Sequence, residues 1–239
     1  MKLILPLTDP ALMENRLLTA LPQREQQHII SNCECVELEF AEILYEPEQR
    51  IRYVYFPCNS FVSMVATLKD KDRLEVGMTG YEGMIGISVV LGISVSSLHA
   101  VVQGAGVAWR MKASQFRHEL ERNPTLRRKL QRYIYVMMKQ RAQTAACTHF
   151  HLVEQRLARW LLMTQDRARS NELHLTQEFL SYMLGVRRVG ISNAASSLNE
   201  RNLITYSRGE IKIIDRPGLI EAACECYEAD KEFYESIMG

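Results

Sequence analysis

The sequence predicts an α+β fold in which a β-rich first half gives way to a helical second half. Three features carry that expectation. Short runs rich in Val, Ile and aromatic residues, punctuated by Gly, Pro, Asn or Asp, recur through residue 111. After Trp109 the apolar residues switch to helical spacing. Between residues 175 and 198 two short helical patterns meet at a glycine, and two short apolar strands follow them.

The first half opens on PQREQQHIISNC (22–33), which reads as a short leading helix. VELEF (36–40), VYFP (54–57), FVSMVATL (61–68), RLEVGM (73–78), MIGISVVLG (84–92) and VAWRM (107–111) follow as strands, at the spacing of a barrel or sandwich. LKDKDRLEV (68–76) reads as a hairpin with KDKD at its turn.

SQFRHELER (114–122) is a short helix stopped by Asn123-Pro124. A long helix then begins with Pro124 in its first turn, where proline is tolerated. Its apolar positions Leu126, Leu130, Ile134 and Met137 step by 4, 4 and 3, a narrow seam. Such a stripe can pack on its own β domain or on the same helix of a second copy. The length of the stripe favours the second, with Leu126, Leu130, Tyr133, Ile134, Met137 and Arg141 at a dimer interface. HLVEQRLARWLLMTQDRA (151–168) is a further amphipathic helix. The expected division is 1–122 for the β domain, 123–150 for the long helix and hinge, and 151–239 for a C-terminal domain.

With 239 residues, 47% apolar and 24% charged, the chain can bury a substantial core and does not read as disordered. No apolar run approaches the roughly 18 residues of a membrane span. The opening MKLILPLTDP is broken at Pro6 and Asp9, too soon for a signal peptide, so the expected location is cytoplasmic, with no membrane partner. The net charge of +1 hides an asymmetry: −4 over residues 1–110, +9 over 111–215 and −4 over the last 24. The basic middle suits a polyanion, or else a set of solvated helix faces.

Six cysteines in a chain of this size read as free thiols. Cys33/Cys35 and Cys224/Cys226 have the spacing C-x-C, not the C-x2-C grip of a zinc site. Cys147, His149 and His151 alternate in a way that works on a strand but not around a helix end, so CTHFH reads as a hinge. No metal and no cofactor are expected. The chain also lacks G-x-S-x-G, H-E-x-x-H, P-loop and G-x-G-x-x-G motifs, so no enzyme is expected.

LTQEFLSYMLGVRRVGISNAASSL (175–198) meets the packing demands of a helix-turn-helix. Thr176 can cap a first helix with Phe179, Leu180, Met183 and Leu184 inside. Small Ser181 lies four residues before Gly185, where two steeply crossed helices approach and the chain turns with positive φ. Ile191, Ala194 and Leu198 are the inner positions of the second helix, about 187–199. NLITYSRGEIKIID (202–215) then supplies two strands of a wing.

The outer face of that second helix carries short or forked groups suited to base edges in a major groove. Arg188 can pair with guanine and Asn193 with adenine, Val189 can touch a thymine methyl, and Ser192 and Ser196 can reach base or phosphate. Thr176, Arg187, Ser207 and Arg208 are the expected phosphate contacts. Gly190, inside a helix, costs about 1 kcal/mol against alanine and suggests a close approach. The last helix, Pro217 to Met238, has an acidic face that could shield the DNA site, bind a partner or stay in solvent, and solvent is the expectation.

With these motifs the chain resembles the Crp/Fnr family of bacterial transcription regulators over nearly its whole length. The resemblance implies a jelly-roll-like β-roll sensor domain, a long dimerisation helix and a winged helix-turn-helix, acting as a homodimer on palindromic double-stranded DNA. RNA polymerase would be a further partner if the protein activates. In better-known members an Arg-Glu pair opens the recognition helix and a second Arg lies one turn on. Here the matching positions read Arg188, Val189 and Asn193, so the family's familiar operator is not implied. Members that bind cyclic AMP hold its phosphate with an Arg-Ser or Arg-Thr pair and its ribose with a glutamate. In GYEGMIGISVVLGISVSSLHAVV (80–102) Ser96-Ser97 and Ile87 stand at those positions, so that mode of binding is not expected. Glu82, Gly83, Gly86, Ser96 and Ser97 mark the candidate effector region, its effector open. His99 or His118 could ligate a haem iron, but a lone histidine is usually structural. The alternative is a ligand-sensing β-roll protein whose DNA binding has decayed.

Overall fold

The computed structural model describes residues 14–67, 73–207 and 209–239. Two short helices, α1 (Arg16–Thr19) and α2 (Gln23–Ser31), lead into the β domain. Its strands are β1 (Glu34–Leu38), β2 (Ile43–Tyr45), β3 (Tyr53–Pro57), β4 (Phe61–Thr67), β5 (Arg73–Thr79), β6 (His99–Gly104) and β7 (Gly106–Lys112). They form two antiparallel sheets, ordered β1-β7-β3 and β2-β6-β4-β5. Val54, Phe56, Val62, Val102 and Ala108, drawn from both sheets, are fully buried in one core, as alternating strands with one inward face require.

The run 84–92, expected as a strand, contributes only a bridge from Ile85 to Tyr55 before a 3-10 helix, Ile87–Leu91. Gly86 (φ 89°) and Gly92 (φ 79°) bound that turn in the left-handed region and stop extended pairing on either side. β2, only three residues long, and β6, HAVVQG ending at Gly104, are strands beyond those expected. The KDKD turn of the expected hairpin lies outside the described residues, while its arms β4 and β5 pair as expected, from Val62↔Thr79 to Thr67↔Arg73.

α3 (Ala113–Arg122) leads to α4 (Pro124–Phe150), whose first turn Asn123 caps by accepting from Leu126 N at 2.8 Å. The structure turns the apolar stripe of α4 inward. Leu126, Leu130, Tyr133 and Met137 are buried in the chain's own β-domain core, Ile134 and Arg141 are half-buried, and the expected seam is therefore covered within one copy. The physical reason is that the 3-10 segment and α9 pack on α4, placing Val89, Tyr234 and Met238 in the same core as the stripe.

The C-terminal part runs through α5 (Val153–Ala168), β8 (Glu172–His174), α6 (Gln177–Leu184), α7 (Arg188–Glu200), β9 (Ile204–Ser207), β10 (Glu210–Ile213), α8 (Arg216–Ala222) and α9 (Cys226–Met238). Its sheet, β8-β10-β9, adds a strand to the two expected. Its core holds Leu157, Leu161, Leu180, Ile191, Leu198 and Ile211 and also takes in Phe61, Val65 and Met78 of β4 and β5. β4 thus contributes side chains to both cores. The last helix is broken at residues 223–225, and α9 does not lie in solvent. Tyr234 and Met238 enter the β-domain core, and Phe233 meets Tyr135 of α4 at 5.6 Å. Among the described residues no helix is long and apolar enough to cross a membrane.

Candidate nucleic-acid interface

Local chemistry sets the angle between α6 and α7. Thr176 Oγ1 accepts from Phe179 N at 3.1 Å and caps α6. Gly185 ends that helix at φ 62°, and Val186 N returns to Ser181 O at 3.1 Å. A β-carbon at Gly185 would lie 2.8 Å from Leu74 Cδ1, so the turn is also pressed against β5.

α7 buries Ile191, Ala194, Ala195 and Leu198 against α5 and α6. Its opposite side leaves Arg187, Arg188, Val189, Asn193 and Ser196 exposed, Val189 at 63%. An apolar side chain that open, flanked by forked polar groups, suits a partner surface better than water. Ser192 is half-buried, and its hydroxyl donates to Gln177 Oε1 at 2.8 Å, making it a strut between the two helices. Sequence reasoning missed Gln177, whose partner lies fifteen positions away across the turn. Gly190 is not demanded by the chain's own packing: a β-carbon there would meet only Val153 Cγ1 at 4.0 Å.

No side chain caps α7, and its N-terminus carries Arg187 and Arg188 together. Two cations beside the positive end of a helix dipole are mutually unfavourable unless an anion joins them. In the wing, Ser207 is exposed and pairs in register with Glu210, while Arg208 lies outside the described residues. Leu175 N donates to Gly209 O at 2.6 Å and ties the wing to the start of α6. Thr176 lines a cleft of about 470 Å³ between this domain and the four-stranded sheet, facing Ile43, His99 and Val101.

Two buried polar links join α5 to the β domain, neither of them legible from spacing. Trp160 Nε1 donates to Glu75 Oε1 at 2.9 Å, and Ser63 Oγ donates to the same carboxylate. Burial pushes Glu75 up to about 7 against those donors. Arg167 Nε donates to Glu82 Oε1 at 2.8 Å. Within the C-terminal domain, Arg156 donates to Leu184 O at the end of α6.

In the candidate effector region Glu82 is therefore committed to Arg167. Gly83 packs under Tyr133 and Gly86 beside Tyr45, where added β-carbons would come within 1.9 and 2.8 Å of the hydroxyl oxygens. Ser96 is buried and donates to Leu98 O at 2.7 Å, while Ser97 is exposed. His118 pairs with Glu121 at 3.8 Å on the surface.

Residues 155–222 match the Crp-like helix-turn-helix domain. The fold matches FixK2 from Bradyrhizobium japonicum with a TM-score of 0.68 at 17% identity, over 80% of this chain and 98% of that one. It matches a CRP-family transcriptional regulator from Thermus thermophilus with a TM-score of 0.62 at 16% identity, over 80% and 99%. It also matches CLP, the c-di-GMP responsive global regulator of Xanthomonas campestris, with a TM-score of 0.61 at 13% identity, over 80% and 99%. No curated protein matches the chain.

Proposed function

From the premise of a Crp-like helix-turn-helix domain set in a Crp/Fnr regulator fold, we propose that this chain is a transcription regulator that reads palindromic DNA as a homodimer. The observation that carries the reading is the outer face of α7, where Arg188, Val189, Asn193 and Ser196 stand free beside an uncapped, doubly basic helix start. Arg188 and Asn193 supply forked donors to base edges, and Val189 supplies the apolar contact of a thymine methyl. Arg187, Arg208 and the hydroxyls of Thr176 and Ser207 are the proposed phosphate contacts. Thr176 caps with a lone pair and keeps its O–H to donate.

Dimerisation uses the face of α4 that the fold leaves open. Gln131, Tyr135, Met138, Ala142, Ala145 and His149 are exposed and step by 4, 3, 4, 3 and 4, the spacing of a coiled-coil seam. This stripe replaces the inward one. Two α7 helices about 34 Å apart then meet successive turns of one groove. Signal recognition without cyclic AMP agrees with Glu82, Gly83 and Gly86 being engaged by the chain's own side chains.

Arg188→Ala tests the base contact. The expected result is a relaxed preference at one position of each half-site and a loss of about 1–3 kcal/mol per contact, roughly 5- to 150-fold in affinity. Competition binding against single-base variants of the site reads both. A uniform loss over all sequences with a shallower salt dependence would make Arg188 a phosphate contact instead.

A further inference from the structure

Four side chains remote in sequence converge where α4 hands over to α5. Cys147 lies in the last turn of α4 and His151 caps its end. Cys224 sits in the break between α8 and α9, and Cys226 is the first residue of α9. Their ligand atoms, three thiol sulfurs and one imidazole nitrogen, all lie within 4.8 Å of one another. Cys147 Sγ is 3.5 Å from Cys224 Sγ, and Cys226 Sγ is 3.5 Å from His151 Nδ1. The three thiols are 1%, 4% and 0% exposed and form a cluster that contains no other apolar residue.

These separations have a chemical meaning. Zn–S bonds of about 2.3 Å and Zn–N bonds of about 2.0–2.1 Å place tetrahedral ligand atoms roughly 3.5–3.8 Å apart. A polynuclear iron–sulfur cluster needs a wider cage, because its ligands sit on different metal atoms. Three thiolates and one imidazole, a Cys₃His set, are a structural zinc donor set.

The groups around the cluster act in the same direction. His151 Nε2 is 3.1 Å from Glu225 Oε1, so the carboxylate accepts from one ring nitrogen and leaves Nδ1 to face the thiols. Gln143 Nε2 donates to Cys226 Sγ at 3.0 Å, the kind of N–H···S bond that offsets charge on a bound thiolate. His151 keeps a fifth of its side chain exposed, which gives an ion a way in.

We propose that Cys147, His151, Cys224 and Cys226 bind one Zn²⁺ ion that pins the root of α9 to the hinge between α4 and α5. From that root α9 runs back along α4 to the β domain. Lys129 Nζ donates to Met238 O at 3.2 Å, Tyr234 Oη to Glu82 O at 2.7 Å, and Arg16 pairs with Glu235 at 2.8 Å. The ion therefore holds one end of a strap whose other end is fixed on the β domain, and it sets how the winged domain hangs from α4.

The test is metal analysis of the full chain purified under reducing conditions, followed by exchange with Co²⁺. The expected results are about one zinc per chain and, on exchange, visible d–d bands with thiolate-to-cobalt charge transfer at higher energy. Cys224→Ser should lose the ion, while Cys35→Ser, far from the cluster, should keep it. Because Cys224→Ser can also impair folding, Glu225→Gln provides a milder variant, expected to fold and to weaken zinc 10- to 100-fold. Reduced protein that holds neither zinc nor cobalt would overturn the proposal. So would iron accompanied by inorganic sulfide, or a Cys147–Cys224 disulfide in metal-free protein.

Discussion

Glu82→Ala is expected to destabilise the folded chain by about 3–5 kcal/mol, because it leaves the Arg167 guanidinium buried without its counter-charge. The two side chains, Glu82 at 13% and Arg167 at 9% exposure, meet at 2.8 Å, so the pair is largely desolvated. Arg167 lies on α5 and Glu82 in the turn after β5, so the pair also joins the winged domain to the β domain. Chemical denaturation reads the loss directly. The double variant Glu82→Leu with Arg167→Met should recover most of it, since removing both charges removes the desolvation penalty as well. A loss under 1 kcal/mol for Glu82→Ala would mean that the guanidinium finds solvent and that the junction is looser than described.

Glu75→Gln is expected to stabilise the chain by about 3 kcal/mol above pH 8 and to change little near pH 4. Glu75 is 8% exposed, and burial raises its carboxyl from 4.5 to about 7 despite donors from Ser63 and Trp160. The folded state thus holds a proton that the unfolded state releases. That contribution is complete below pH 4.5 and is lost as pH rises through 7, so stability falls across this window in the native protein. Glutamine still accepts from Trp160 and, its amide now donating to the Ser63 hydroxyl, carries no charge to bury. Unfolding free energies measured at pH 5 and pH 8 should converge in the variant and differ in the parent. The same slope in both would remove Glu75 as its source.

The parts of the fold that were legible are those whose signal is local. Pro124 after Asn123 marks the start of α4, Thr176 and Gly185 mark the limits of α6, and alternating Val and aromatic residues mark β3, β4, β5 and β7. What failed depended on partners distant in the chain. The stripe of Leu126, Leu130 and Met137 has the same period whether it faces a second copy or the β domain, and periodicity cannot choose between them. The acidic last helix looked like a solvated one because its partners, Tyr135, Arg16 and the carbonyl of Glu82, belong to other elements.

At the interface, the exposed residues of α7 followed from one helical period. Ser192 looked equally free, and only the fold brings Gln177 to it. The thiol cluster was hidden in the same way. Neither C-x-C nor CTHFH has metal spacing, and the set exists only because α9 begins beside the end of α4. His149, which the local pattern grouped with His151, is an exposed residue of the α4 face instead.

Sequence-specific recognition by two copies of α7 is open to one test above others, the selection of random duplex DNA by the full-length protein. The expected result is enrichment of a palindrome whose half-sites are about one helical turn apart. Affinity for it should fall steeply with salt, and added cyclic AMP should leave it unchanged. Folded dimeric protein that enriches no sequence, with or without metabolites from cell extract, would rule out recognition by α7 and mark a β-roll sensor that no longer reads DNA.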